Sequence, residues 1–206
     1  AARLNPVFSE LPGRSTLLVT FGAVTLVTAG VMSLFQHDLK RVLAYSTIAT
    51  LGLLMLLIGL ASPTHAEAAT TAATACVLLL LAHAFYKATL FLIAGTITDV
   101  TGQKDARLLS GLRAVLPVTM VGALLAAASM IGLPPWLGYI AKESALAGGW
   151  ESPVRIVAVL AMVIGVPTFV VAALRTGVSP FLFGTRREPG RANEPAWGMV
   201  AGPLIL

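Results

Sequence analysis

His83 and Lys87 stand four residues apart within VLLLLAHAFYKATLFLIAG (77–95), a run apolar and long enough to cross a bilayer. The i, i+4 spacing puts both side chains on one face of a helix. A lysine in a membrane segment costs at least about 2.5–3.5 kcal/mol on insertion scales, so it belongs against protein or water rather than lipid. Two further helical stretches carry a lysine of their own, Lys40 near a helix start and Lys142 with Glu143 beside it. Burial penalises the ammonium form, so such a lysine exchanges its proton more readily than one in water. Histidine titrates near neutrality unaided. A row of these groups, joined by hydroxyls and water, passes protons in short hops.

Each position also has a plainer role. Lys40 lies where a lysine snorkels to the membrane edge, His83 could be a hydrogen-bonded core residue, and Lys142 and Glu143 could form a local ion pair. Arg175 reads as interfacial, and His37 and His65 fall in connections without an assigned role. Other chemistries lack their residues: there is no Walker or Rossmann glycine pattern, no Ser/His/Asp layout, and only Cys76, so no cysteine cluster for iron–sulfur or zinc. No cofactor is expected, and no residue is assigned to a metal.

The elements that must hold these groups are helices. Of the 206 residues 57% are apolar and 11% charged, with mean hydropathy +0.87, far from the roughly 25% charged residues of a soluble domain. A soluble bundle would need repeated polar faces, and these segments are apolar all round. The net charge of +5 is scattered without aromatic interleaving, which excludes a nucleic-acid surface and fits juxtamembrane charge. The chain therefore reads as an all-α, polytopic transmembrane helix bundle.

In chain order, residues 1–14 form a loop and helix approach, 15–183 the membrane bundle, 184–198 a polar linker, and 199–206 the start of a truncated further helix. Both ends are expected to be cuts through a longer protein. Within the bundle, spans are predicted at 15–35, 39–60, about 70–98 and 116–133. Asp38 is placed to cap the second. On that helix Ser46 and Thr50 pair on a face adjoining Lys40, Ala44 and Thr47, their hydroxyls bonding back to the helix or lining a wet path. Residues 99–113 are long for a connection and suit a surface element. Gly132-Leu133-Pro134-Pro135 must break the backbone, and residues 136–150 then rise only ~22 Å, the length of a half-helix. Residues 153–183 give one or two last segments, interrupted by Pro167, Gly177 and Pro180. Counting Lys and Arg leaves orientation open, because 136–150 either span or re-enter.

Three stretches, DLKRVLAYSTIATLG (38–52), AHAFYKATLFLIAG (82–95) and GLPPWLGYIAKESAL (132–146), together resemble successive signatures of the proton-translocating antiporter-like family. That family comprises the large subunits of Mrp-type antiporters and related membrane-arm subunits of respiratory complex I. TDVTGQKDARLLSGL (98–112) is more similar to the pattern of the A subunit of Mrp-type Na⁺/H⁺ antiporters. The resemblance implies about half of a subunit of about fourteen core helices, built from two inverted repeats each with a discontinuous helix. It implies that Lys40, His83, Lys87, Lys142 and Glu143 lie on a proton path. It also implies an integral, multi-pass protein of a bacterial plasma membrane, with small hydrophobic subunits, lipid, H⁺ and a monovalent cation as partners. Some members carry a second histidine where this chain has Leu79. Cation/proton exchange, proton pumping in an NADH:quinone oxidoreductase, and lysines that only hold anionic lipid are the activities to separate.

Overall fold

Where water is scarce, backbone N–H and C=O groups must be satisfied within their own segment, and a long apolar run without strand partners has the helix as its solution. The computed structural model describes residues 13–61, 66–150 and 154–183. They form α1 (Arg14–Leu34), α2 (Leu39–Leu60), α3 (Ala66–Thr101), α4 (Pro117–Ile131), α5 (Leu137–Trp150) and α6 (Arg155–Ala173). A π-turn (Leu174–Val178) leads from α6 into the short α7 (Ser179–Leu182). Among the described residues four stretches are long and apolar enough to cross a membrane: Arg14–Leu34, Leu39–Leu60, Ala69–Thr101 and Ile156–Leu182. Large apolar side chains also cover the outside. Phe21, Val77, Leu80, Ile156 and Val163 are each more than half exposed, a surface suited to lipid or to further protein. The chain is thus an all-α, polytopic membrane bundle. Residues 1–12 and 184–206, including the expected linker and final helix, lie outside the described residues.

Local chemistry sets the helix ends. Asp38 caps α2 as expected, its Oδ1 accepting from the backbone N–H of Lys40 at 2.9 Å and Arg41 at 3.1 Å. Pro117 opens α4, where a missing N–H costs nothing. Gly132 closes α4 at φ 88°, a left-handed conformation that glycine adopts without strain. Leu133 donates back to Ala128 at 3.0 Å.

After this stop, α5 continues in the direction of α4. Gly177 packs beside Leu90 and Ala127, while Gly148 meets Ala72, nearer the start of α3. Neither piece is long enough to cross alone, so the predicted fourth span and half-helix are two halves of one broken crossing. The last segment is less interrupted than its composition predicts. Pro167 sits inside α6, and the helix runs through it. The irregularity falls later, in the π-turn around Gly177.

Two contacts tie the ends of the bundle together. Residues 37–39 pair with 104–106, Leu39 N–H donating to Lys104 O at 3.0 Å and Ala106 N–H to His37 O at 2.8 Å. The segment after α3 is therefore a latch, and within it Arg107 and Asp105 form an ion pair at 2.7 Å. Hydrogen bonds from the Arg107 side chain, then from its backbone N–H, hold the Asp105 carboxyl down to about 2. Because that value is depressed, the pair is fully present above the ordinary carboxylate range and is lost only as pH falls through about 2. Arg175, expected at an interface, reaches across to the end of α1 and donates to Leu34 O and to Gln36 O, the latter at 3.2 Å.

A close helix approach joins α1 and α2. A Cβ on Gly22 would stand 2.5 Å from the Leu56 nitrogen, and one on Gly52 2.5 Å from the Leu26 nitrogen. Gly52→Val is expected to lower stability by at least about 1–3 kcal/mol, the range for overpacking. Gly95→Ala, with nothing within 4 Å of the added carbon, should leave stability near wild type. Thermal unfolding of the detergent-solubilised full-length subunit separates the two.

Candidate proton-transfer site

The inner face of α3 steps through Leu79, His83, Tyr86, Lys87 and Leu90, all buried. Lys87 is 5% exposed although it carries an ammonium group. Its Nζ donates to the Leu43 carbonyl at 2.9 Å and to Ser46 Oγ at 2.5 Å, both on α2. Ser46 in turn bonds back to Val42 O at 2.9 Å and Leu43 O at 3.0 Å, and Thr47 Oγ1 reaches Leu43 O at 2.8 Å. One carbonyl thus gathers three side-chain donors. The two roles foreseen for these hydroxyls coincide in Ser46, which bonds to its own helix and also accepts from the lysine.

One turn away, His83 Nδ1 lies 3.2 Å from the Tyr86 hydroxyl, the rings edge to face at 5.4 Å. Which atom donates follows the imidazole tautomer. Thr50, one turn beyond Ser46 on α2, faces Tyr86 and back-bonds to Ser46 O at 3.0 Å. Two polar rungs therefore join α2 and α3, Ser46–Lys87 and Thr50–Tyr86–His83.

Lys142 stands in the second turn of α5 and reaches back over the break. Its Nζ donates to Ile131 O at 2.9 Å and to Met130 O, the last carbonyls of α4, and lies 5.5 Å from the Phe169 ring centroid. Those carbonyls form the negative end of the α4 dipole, so a cation is favoured there. Lys142 and Glu143 border a cavity of about 430 Å³ otherwise walled mainly by apolar side chains such as Leu53, Leu146, Met162 and Val166. Glu143 is exposed, and among the described residues no ion pair joins it to Lys142. Lys40 lies exposed in the first turn of α2, about 9 Å along the axis from Ser46, and does not join the cluster. Among the described residues no group of three His, Cys, Asp or Glu could hold a metal ion.

Residues 1–168 match the family described as "NADH:quinone oxidoreductase/Mrp antiporter, TM". The chain belongs to this family. It is 37% identical to the A subunit of the Na(+)/H(+) antiporter of Alkalihalophilus pseudofirmus and 31% identical to the A1 subunit of the Na(+)/H(+) antiporter of Staphylococcus saprophyticus, in each case over 100% of this chain and 28% of the relative. Among solved structures, the Mrp complex from Dietzia sp. DQ12-45-1b superposes with a TM-score of 0.82 at 29% identity, over 98% of this chain and 21% of that one. Respiratory complex I from Thermus thermophilus has the same fold, at TM-score 0.76 and 23% identity over 97% of this chain and 43% of that one. The chain thus spans little more than a quarter of the length of its antiporter relatives.

The sequence singles out His83, Lys87 and Lys142 but not their acceptors. Ser46 and Thr50 were visible as a pair, and Tyr86 was not marked at all. Their partners lie on another helix, which periodicity within one helix does not reveal. Ser46→Ala leaves the buried Lys87 with one acceptor and is expected to lower stability by about 1–3 kcal/mol. Thr28→Ala removes an exposed hydroxyl that bonds only within its own helix, to Val24 O and Thr25 O, and should change little. Thermal unfolding of the full-length subunit in detergent measures both.

Proposed function

We propose that this chain is the part of a cation/proton antiporter subunit that transfers protons through Lys142, His83 and Lys87, in exchange for Na⁺ or a similar monovalent cation moved outward. The carrying observation is that both lysines are held by neutral acceptors. A lysine locked to a carboxylate cannot lose its proton without leaving a buried charge unpaired. Lys87 on a carbonyl and a hydroxyl, and Lys142 on two carbonyls, have no such penalty. Lys142 exchanges a proton with one side through the cavity it shares with Glu143, His83 and Lys87 relay it, and Lys40 connects to parts of the subunit beyond this chain. The names of the relatives support Na⁺ and H⁺ as the exchanged ions. The partners are the other subunits of a multisubunit complex in a bacterial plasma membrane. The second reading, a proton-pumping subunit of an NADH:quinone oxidoreductase, draws on the family description and on the complex I likeness. It predicts no sodium dependence.

Orientation follows from the connectivity. The α1–α2 connection, the latch and the end of α7 share one end of the bundle, and Lys40, Arg41, Lys104, Arg107 and Arg113 lie there, against Arg14 and Arg155 at the other. The positive-inside rule makes the latch end cytoplasmic.

In everted vesicles from an antiporter-deficient host carrying the complete complex, Lys142→Ala and Lys87→Ala are expected to lower ΔpH-driven cation exchange by about 10²-fold, the lower end for a positioned proton-transfer group. Unchanged exchange in assembled variants would make these lysines structural. For orientation, in a Cys76→Ala background, Lys104→Cys should react with an impermeant maleimide in everted vesicles but not in intact cells, and Trp150→Cys the reverse. The opposite pattern would invert the assignment.

A further inference from the structure

The polar rungs between α2 and α3 stop one turn short of the Lys142 cavity. On α2 the inner face runs Ser46, Thr50, Leu53, and on α3 it runs Lys87, His83, Leu79, so both ladders end in a leucine at the same step. Leu53 is 0% exposed and Leu79 1%. Leu53 also walls the cavity that contains Lys142 and Glu143. It therefore has the Thr50–Tyr86–His83 rung on one side along its helix and the cavity on the other.

We propose that Leu53, with Leu79, is a dry plug between the His83–Lys87 relay and the Lys142 cavity, through which a proton passes only when water is admitted. The inference rests on the antiporter reading. Its physical basis is that two side chains without donors or acceptors interrupt a hydrogen-bonded row, and a proton cannot hop across a gap with no group to receive it. An antiporter needs such an interruption. A continuous wet path from Lys142 to Lys87 would let protons run through without cation movement. Transient wetting of the plug would couple the two ends, and the adjoining cavity of about 430 Å³ has room for the water that this requires.

The test uses the complete complex in everted vesicles and reads two quantities: passive proton leak without the exchanged cation, and cation-driven exchange. Leu53→Asn gives the gap a donor and an acceptor, and is expected to raise passive leak by about tenfold while lowering the exchange obtained per proton moved. Adding Lys87→Ala should abolish the extra leak, because the protons travel the relay. Leu51→Asn, which puts the same amide on the exposed side of α2, should leave leak unchanged. Should Leu53→Asn not assemble, Leu53→Ala opens the same gap without a new polar group and should raise leak in the same direction. Wild-type leak in an assembled Leu53 variant would overturn the plug, as would a raised leak that survives Lys87→Ala. Absence of cation-driven exchange in the wild-type complex would instead overturn the antiporter reading, and leaves the leak comparison readable.

Discussion

A helix that stops inside a bundle leaves its last carbonyls without intrahelical donors, and in an apolar setting those oxygens must find a donor nearby. At the end of α4 that donor is Lys142. The dependence is mutual: the lysine needs acceptors because lipid offers none, and the carbonyls need a cation because they end a dipole. Gly132 makes the arrangement possible. Its left-handed turn ends α4, and a side chain there would stand only 3.0 Å from the Lys142 Cδ. The break and the lysine are one feature, and the course of the chain from α4 to α6 follows from accommodating it.

Lys87 meets the same problem with different means. No helix ends beside it, so α2 offers a carbonyl already in use within the helix, supplemented by the hydroxyl of Ser46. Back-bonding by Ser46 and Thr47 concentrates donors at Leu43 O without breaking α2. Both lysines therefore rest on neutral oxygen, one at a broken helix and one on an intact helix. The carboxylate nearest in sequence, Glu143, faces out. Among the described residues, charge in the interior is stabilised by dipoles and not by ion pairs, and the ion pair of Asp105 and Arg107 lies at the surface, within the segment after α3.

How much of this was legible in the sequence depends on the range of the interaction. Helix positions, the Asp38 cap and the break at 132–135 follow from local rules about length, capping and proline, and the ends fall within a few residues of expectation. The candidate lysines stood out because charge in an apolar run is costly. Pro167 misled, since local rules assign it an interruption and α6 runs through it. Ser46, Thr50 and Tyr86 gained their place only through the relative register of α2 and α3, which no pattern within either helix encodes. The same holds for Arg175, whose partners at Leu34 and Gln36 lie about 140 residues away in the chain.

That register is fixed far from the site. The α2 helix presents Ser46 to Lys87 and Thr50 to Tyr86 only if its rotation and height against α3 are both set, since one residue of slip turns a helix by about 100°. On one side the glycine contact at Gly22 and Gly52 leaves α2 a single close fit against α1. At its start, the backbone bonds of residues 37–39 to 104–106 join the beginning of α2 to the segment that leaves α3. The polar rungs sit between these two constraints. A loosened latch would shift Ser46 away from the ammonium group before any residue of the site had changed, so the surface segment and the buried lysine belong to one mechanical unit.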